Sequence, residues 1–361
     1  MFNMAFVEVR NVEKHYGDYH ALKDITFDVE RGELVALLGP SGCGKTTILR
    51  AIAGLDPHDS GDIVIDGRNM NAVPGSERGI GFVFQNYALF RYMTVFDNIA
   101  FGLDIQKRPA AEIEARVKEL VQLIGIAGME ERYPNELSGG QRQRVAFARA
   151  LAPSPRVLLL DEPFAAVDAK VRQELRRWLR EMVTQLGITS IFVTHDQEEA
   201  LEVSDRIIVM SDGRIEQIGT PDDIYERPQT AFVARFTGNA PIIEEYDRFN
   251  GFEKTDPDSV AVVRPEYVEA FRADNPDFAD MVGVSQRAVV TNISFRGFYF
   301  ELTLDVDGVV VTAHRGLGRR RPITVGSEML VYIDRLYVMH GDNTVETIEN
   351  PQLAGKVVKR D

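Results

Sequence analysis

The chain has 361 residues, 44% apolar and 27% charged, ordinary for a globular protein and long enough for about two domains. Its formal charge of −14 repels phosphate backbones at long range and argues against nucleic acid as a partner, so any bound anion needs a focused local site. One cysteine, Cys43, excludes an intrachain disulfide and fits a reducing compartment.

The start, "MFNMAFVEVRNVEKHYG", lacks the basic segment and long apolar run of a secretory signal. No run of about 18 apolar residues follows, so the chain is not expected to cross a membrane by itself. "GELVALLGP" reads as a buried strand, Leu34 to Leu38, broken at Gly39-Pro40. "TILRAIAGL" then has helical spacing at Ile48, Ile52 and Leu55, with Gly54 as its stop.

Between them, "GPSGCGKTT" satisfies G-x-x-x-x-G-K-[ST] in the strand-to-helix context that motif requires. Gly39, Gly42 and Gly44 let the backbone of Pro40, Ser41, Cys43 and Thr47 curl so that N–H groups converge on phosphate oxygens. The helix start adds positive potential. Lys45 is placed to reach the β- and γ-phosphates, and the Thr46 hydroxyl to ligate Mg²⁺.

From about residue 86 to 153 the pattern is helical, as in "AEIEARVKELVQLIGI", and reads as an insert in the sheet domain. Gln85, ending "GIGFVFQ", is a candidate contact to Mg²⁺ or to the attacking water. "RVLLLDEP" is a strand ending in Asp161 and Glu162. Beside the lysine loop, Asp161 reads as a magnesium anchor and Glu162 as the base that polarises water. The alternative is that both acids cap the turn before Pro163.

His195 ends the strand "SIFVTH" and is a candidate partner of the γ-phosphate; Tyr16, in "HYGDYHAL", is a candidate platform for adenine. "RIIVMSDGRIEQIG" reads as a hairpin around Asp212-Gly213. Buried strands alternating with helices predict a mostly parallel α/β sheet over residues 1–238. From residue 239 to 361, short alternating strands predict an all-β domain of OB type. The basic pieces "RQELRRWLRE" and "GLGRRRP" read as a solvated helix face and a loop.

A second anion-type helix start stands at "LSGGQRQRVAFARAL", where Ser138 is a cap and Gly139, Gly140 and Gln141 follow. With "GPSGCGKTT", Gln85, "LLLDEP", "AAVD" and "THDQEEA" in this order, the chain resembles the ATP-binding cassette (ABC) family over residues 4 to about 238. The resemblance implies a P-loop cassette binding ATP and Mg²⁺, in a head-to-tail homodimer. There, Ser138 to Gln141 of one copy cap the nucleotide on the Lys45 loop of the other, and Asp168 lies across the interface. Asp168 follows Val167, where the family more often has leucine.

A single cassette with a β-rich tail is similar to the ATPase subunits of bacterial solute importers, with a tail resembling the OB-type (TOBE-like) regulatory region of maltose, sulfate and polyamine importers. This implies integral membrane permease subunits as partners, a solute-binding protein indirectly, and a peripheral place on the cytoplasmic side of the membrane. Tyr87, Phe90, Tyr92 and Phe96 are candidate anchors for the permease. "VRQELRRWLREM" and "THDQEEALEVSDRI" resemble sulfate or thiosulfate importers more than the others; polyamine, iron or phosphonate, and sugar uptake stay open. A non-transport cassette acting on nucleic acid or ribosomes is the rival class, opposed by the acidic balance and by the lack of a coiled-coil insert or second cassette.

Overall fold

The computed structural model describes residues 5–165, 167–238, 240–254, 256–317 and 323–355. By packing, they form two units that divide between Asp222 and Asp223. The boundary expected at 238/239 therefore falls inside the second unit, beside Asn239, which lies outside the described residues.

The first unit opens with a long hairpin, β1 (Val7–Tyr16) and β2 (Tyr19–Val29). Strand β3 (Leu34–Leu38) leads into helix α1 (Lys45–Ala53), then β4 (Ser60–Ile65), the short β5 (Arg68–Asn69) and β6 (Ile80–Val83). Three helices follow, α2 (Val95–Ile105), α3 (Ala110–Leu123) and α4 (Gly139–Leu151), in the stretch expected to be helical. The unit returns through β7 (Val157–Asp161), α5 (Ala169–Leu186), β8 (Thr189–Thr194) and α6 (Gln197–Val203) to the hairpin of β9 (Arg206–Ser211) and β10 (Arg214–Gly219).

The main sheet has the order β10-β9-β3-β8-β7-β6, parallel throughout except for β10. Its central strands are buried along their whole length, which is why Leu34 to Leu38 and Val157 to Leu160 read as unbroken apolar runs. At the β9–β10 turn, Asp212 (φ 44°) and Gly213 (φ 74°) take the left-handed backbone of a tight hairpin, as the Asp-Gly pair predicts.

A second sheet, of order β2-β1-β4-β5, is antiparallel and goes beyond the mostly parallel architecture expected. Its signal is muted in the sequence. Val7 and Val9 alternate, but register shifts between Val9 and Val12, and again before His15, break the period of two. Its core face, with Val7, Val9, Ile25 and Ile63 buried, packs against α1 and the main sheet through Ile48, Leu49 and Ile52.

The helix containing "RQELRRWLRE" corrects an expectation. Its arginines are not all solvated: Arg176 is buried and pairs with Glu202 at 3.0 Å and Glu198 at 3.6 Å. Arg180 meets Asp205 at 2.6 Å. The arginines of "GLGRRRP" lie outside the described residues.

Helix α7 (Pro221–Glu226) spans the division, and α8 (Ala231–Gly238) opens the second unit. Its strands are β11 (Ile242–Ile243), β12 (Val260–Val262), β13 (Val268–Phe271), β14 (Gln286–Phe295), β15 (Tyr299–Val306), β16 (Val309–Gly316), β17 (Glu328–Ile333), β18 (Arg335–Met339) and β19 (Val345–Glu349). They form two antiparallel sheets, β11-β12-β18-β19 and β13-β17-β14-β15-β16, sharing one core. Alternation is clean: Leu302, Leu304 and Val306 on β15 and Val309, Val311 and Ala313 on β16 point inward. After α8, the regular elements of the described residues are strands and short 3-10 turns, the all-β tail that the alternating pattern predicts. No helix of the described residues is long and apolar enough to cross a membrane.

Candidate functional site

Parallel pairing places four strand ends on one edge. Leu38 is opposite Thr194, Asp161 opposite Val193, and Val83 opposite Leu160. The segments leaving β3, β6, β7 and β8 therefore emerge side by side, at the carboxyl edge where open α/β sheets hold ligands.

The Gly39–Thr47 loop joins β3 to α1. Gly44 has φ 100°, and a Cβ there would lie 2.7 Å from the Ala21 carbonyl, so both torsion and space demand glycine. Gly39 answers to packing instead: its Cβ would meet the Met210 carbonyl at 2.2 Å. Gly42 (φ 82°) and Ser41 are exposed, and Thr47 is half-buried on the first turn of α1.

Lys45 is buried, and its Nζ donates to the carbonyls of Gly39 and Pro40, both at 2.8 Å. Cys43 Sγ lies 3.8 Å from the same ammonium. Burial pushes the Cys43 thiol up, against the opposing charge of Lys45.

At the edge of β7, Asp161 accepts from the Thr46 hydroxyl at 2.9 Å. Burial raises its carboxyl above the usual range, the Thr46 hydrogen bond opposing and the neighbouring Glu162 adding to the rise. Glu162 has φ 44°, a left-handed backbone uncommon outside glycine. Its carboxylate is held on two sides: Gln85 Nε2 donates to Oε2 at 2.8 Å, and His195 Nδ1 lies 3.4 Å from Oε1. Lys45, Thr46, Gln85, Asp161, Glu162 and His195 thus occupy one strand edge. The alternative in which the two acids cap the turn loses its basis, because both carboxylates engage residues of other elements.

Residues outside the expected set hold this arrangement. Gln143, fully buried on α4, donates through Nε2 to the Pro163 carbonyl next to Glu162. Arg149, also on α4, donates to the carbonyls of Tyr87 (2.7 Å) and Ala88 (2.6 Å). Those two residues have φ of 64° and 46°, so one guanidinium fixes a left-handed pair just after Gln85. Tyr19, across from Tyr16 in the hairpin, donates through its hydroxyl to the Gly42 carbonyl at 2.9 Å. The sequence signals for these three were single polar residues in amphipathic or alternating runs, which carry no partner information.

Tyr16 is half-exposed at the tip of β1, with Lys14 Nζ 5.3 Å from its ring centroid. Ser138 caps α4: its Oγ accepts from Gln141 N at 3.3 Å, and Gln141 Oε1 accepts from Ser138 N at 2.9 Å, a reciprocal capping box. Gly140 is needed for packing, since a Cβ there would lie 2.9 Å from Val171 Cγ1. The second glycine therefore has a packing cause. Asp168 is exposed and caps α5, accepting from Val171 N at 3.0 Å. Of the four aromatics expected as anchors, Tyr92 is almost fully exposed (96%), Phe90 is exposed and Phe96 half-buried. Tyr87 is buried and belongs to the packing.

A lysine loop between a buried strand and a helix, with an Asp-Glu pair at the same sheet edge, defines a P-loop nucleotide-binding cassette. Residues 22–165 match the family described as ABC transporter. The sulfate/thiosulfate import ATP-binding protein CysA of Mycobacterium bovis is 48% identical over 334 residues, covering 91% of each chain. The protein of the same description from Acinetobacter baylyi is 59% identical over 249 residues, 68% of this chain and 69% of its own. Among solved structures, cbiO1 of Clostridium perfringens, part of the ABC transporter complex cbiONQ, is similar with TM-score 0.58 at 34% identity, over 62% of this chain and 91% of its own. A dimeric ATP-binding cassette in a post-hydrolysis state with ADP and Pi gives TM-score 0.54 at 34% identity, over 60% of this chain and 98% of its own. The chain belongs to the ABC transporter family and is an ATP-binding ATPase of it.

Proposed function

We propose that this chain is the ATP-hydrolysing subunit of a sulfate or thiosulfate importer, acting with integral membrane permease subunits on the cytoplasmic side of the membrane. The observation that carries the catalytic half is the Glu162 carboxylate, held between Gln85 and His195, one residue from the Asp161 that binds Thr46. The transport half rests on similarity to import ATP-binding proteins over 91% of the chain.

In this reading, Lys45 exchanges the Gly39 and Pro40 carbonyls for phosphate oxygens, so the loop opens where the anion arrives. Glu162 accepts the proton of the attacking water, while Gln85 and His195 fix the carboxylate's direction. The residues fit a magnesium ion by donor chemistry: Thr46 and Asp161 offer hard oxygens on adjoining elements, and the half-desolvated Asp161 carboxylate lacks a cationic hydrogen-bond partner among the described residues. Magnesium bound there, with Gln85 beside it, supplies charge neutralisation on the transferring phosphoryl group.

Tyr16 serves as the adenine platform. Ser138, Gly139, Gly140 and Gln141 of one copy cap the nucleotide on the loop of the other, with Asp168 at the same interface. A dimeric solved relative supports this pairing. A cleft of about 660 Å³ lined by Tyr87, Leu89, Arg91, Tyr92, Pro134 and Arg142 fits a permease segment, with Tyr92 as its exposed aromatic.

The test is uptake of radiolabelled sulfate in cells whose copy of this chain is replaced by Glu162→Gln. The reading expects loss of sulfate and thiosulfate uptake with growth restored by cysteine. Normal sulfate uptake, with a defect in sugar or polyamine uptake instead, overturns the solute assignment.

A further inference from the structure

The hairpin that carries Tyr16 and Tyr19 holds a cluster of ligand-type side chains that the nucleotide site does not use. His15 and His20 are directly opposed across β1 and β2. Their rings stack with centroids 3.9 Å apart and planes 16° from parallel. Glu13 joins them, its Oε2 2.6 Å from His20 Nε2. One ligand atom from each of the three lies within 4.8 Å of the others, and among the described residues no other group of three His, Cys, Asp or Glu side chains converges in this way.

We propose that Glu13, His15 and His20 form a binding site for a transition-metal dication of the zinc class. Two imidazoles and one carboxylate are the borderline-soft donor set such an ion takes, with water completing a tetrahedron. Ligand atoms around zinc sit roughly 3.3 Å apart, so the ion enters by opening the 2.6 Å Glu13–His20 contact and drawing in His15. The antiparallel register already sets the two rings face to face, which lowers the ordering cost of a cross-strand pair.

An outer carboxylate is present as well. Asp59 Oδ2 lies 3.4 Å from His15 Nδ1 and accepts from the His15 backbone N–H at 2.6 Å. A carboxylate on the second nitrogen fixes the ring and makes it a better ligand. Lys14, beside His15 in the chain, is engaged by Asp59 Oδ1 at 3.1 Å. All three proposed ligands are partly exposed, so the ion has an open entry path.

The experiment titrates tag-free full-length protein with Zn²⁺ against a chromogenic chelator near neutral pH. Expected is one tight equivalent, weakened at least about tenfold in His20→Ala and in Glu13→Gln. His340→Ala serves as the control and keeps it: His340 also sits between carboxylates, Asp256 at 3.6 Å and Glu346 at 3.7 Å, but without a second imidazole. Cobalt(II) in place of zinc should give a visible ligand-field band that disappears in the His15→Ala/His20→Ala double variant, with ATP binding reporting that the variant is folded. Should the variants not fold, Zn²⁺ protection of His15 and His20 from diethyl pyrocarbonate in the unsubstituted protein decides. No saturable zinc binding, full binding in the folded double variant, or equal labelling of both histidines with and without zinc overturns the site.

Discussion

Gln85 Nε2 and Glu162 Oε2, 77 residues apart in the chain, share a hydrogen bond of 2.8 Å. The residue that leaves the sheet for the helical insert is thereby tied to the acid on the β7 edge. Arg149 holds the backbone just beyond Gln85, and Gln143 holds the backbone just beyond Glu162. Both come from α4, the helix that Ser138 caps. A shift of α4 therefore bears on both ends of the Gln85–Glu162 contact.

Replacing Glu162 by glutamine keeps the shape and the contact with Gln85 but removes the base. Steady-state ATPase assays should show turnover falling at least about a hundredfold, the usual scale for a positioned general base. Nucleotide binding should persist, and sedimentation at saturating ATP should show a dimer. Near-normal turnover removes Glu162 from its role.

Lys45→Ala takes away the buried ammonium that now binds the Gly39 and Pro40 carbonyls. Charge-assisted hydrogen bonds contribute about 1.5–3 kcal/mol, so ATP affinity measured by fluorescent-nucleotide displacement should drop at least about tenfold. Unchanged affinity would remove Lys45 from phosphate binding.

Asp161 titrates above its ordinary range because burial disfavours its charged form. A carboxyl raised in the folded state weakens folding at neutral pH, and that cost disappears as pH falls through the raised value. Asp161→Asn should therefore melt higher than the unsubstituted protein at pH 7 in calorimetry without nucleotide. The gap should narrow as the buffer becomes acidic. The same variant should lose at least about a hundredfold of magnesium-dependent turnover. An unaltered melting temperature across pH would contradict the electrostatic account.

Gly140→Ala forces a Cβ to within 2.9 Å of Val171 Cγ1. Overpacking of this kind costs about 1–3 kcal/mol, partly offset by the roughly 1 kcal/mol that alanine gains over glycine in a helix. Urea unfolding should show net destabilisation, relieved by adding Val171→Ala, which deletes the clashing methyl. If the second substitution brings no recovery, Gly140 is not there for the α4–α5 contact.

The site was legible wherever chemistry depends on near neighbours in the chain. Gly39 to Thr47 announce a phosphate loop because consecutive residues build it, and Leu34 to Leu38 announce a strand because all five are apolar. Asp161 and Glu162 were legible because both close an apolar run. The antiparallel hairpin was not, because its register shifts break the alternation on which a strand is recognised. The burial of Arg176 was hidden too, since its acidic partners lie on another helix.

The sequence by itself determined the local devices: a curled loop, a capped helix start at Ser138, acids at strand ends, and an alternating tail. Only the tertiary structure decided which of them meet. Strand order and parallel register bring the ends of β3, β6, β7 and β8 to one edge, and no period along the chain encodes that order. The left-handed turn of Glu162, Arg149 on the Tyr87 and Ala88 carbonyls, and the stacked pair His15 and His20 all arise from contacts between elements. Periodicity fixes which face of an element is buried, whereas its partner is chosen by the free energy of the whole packed core.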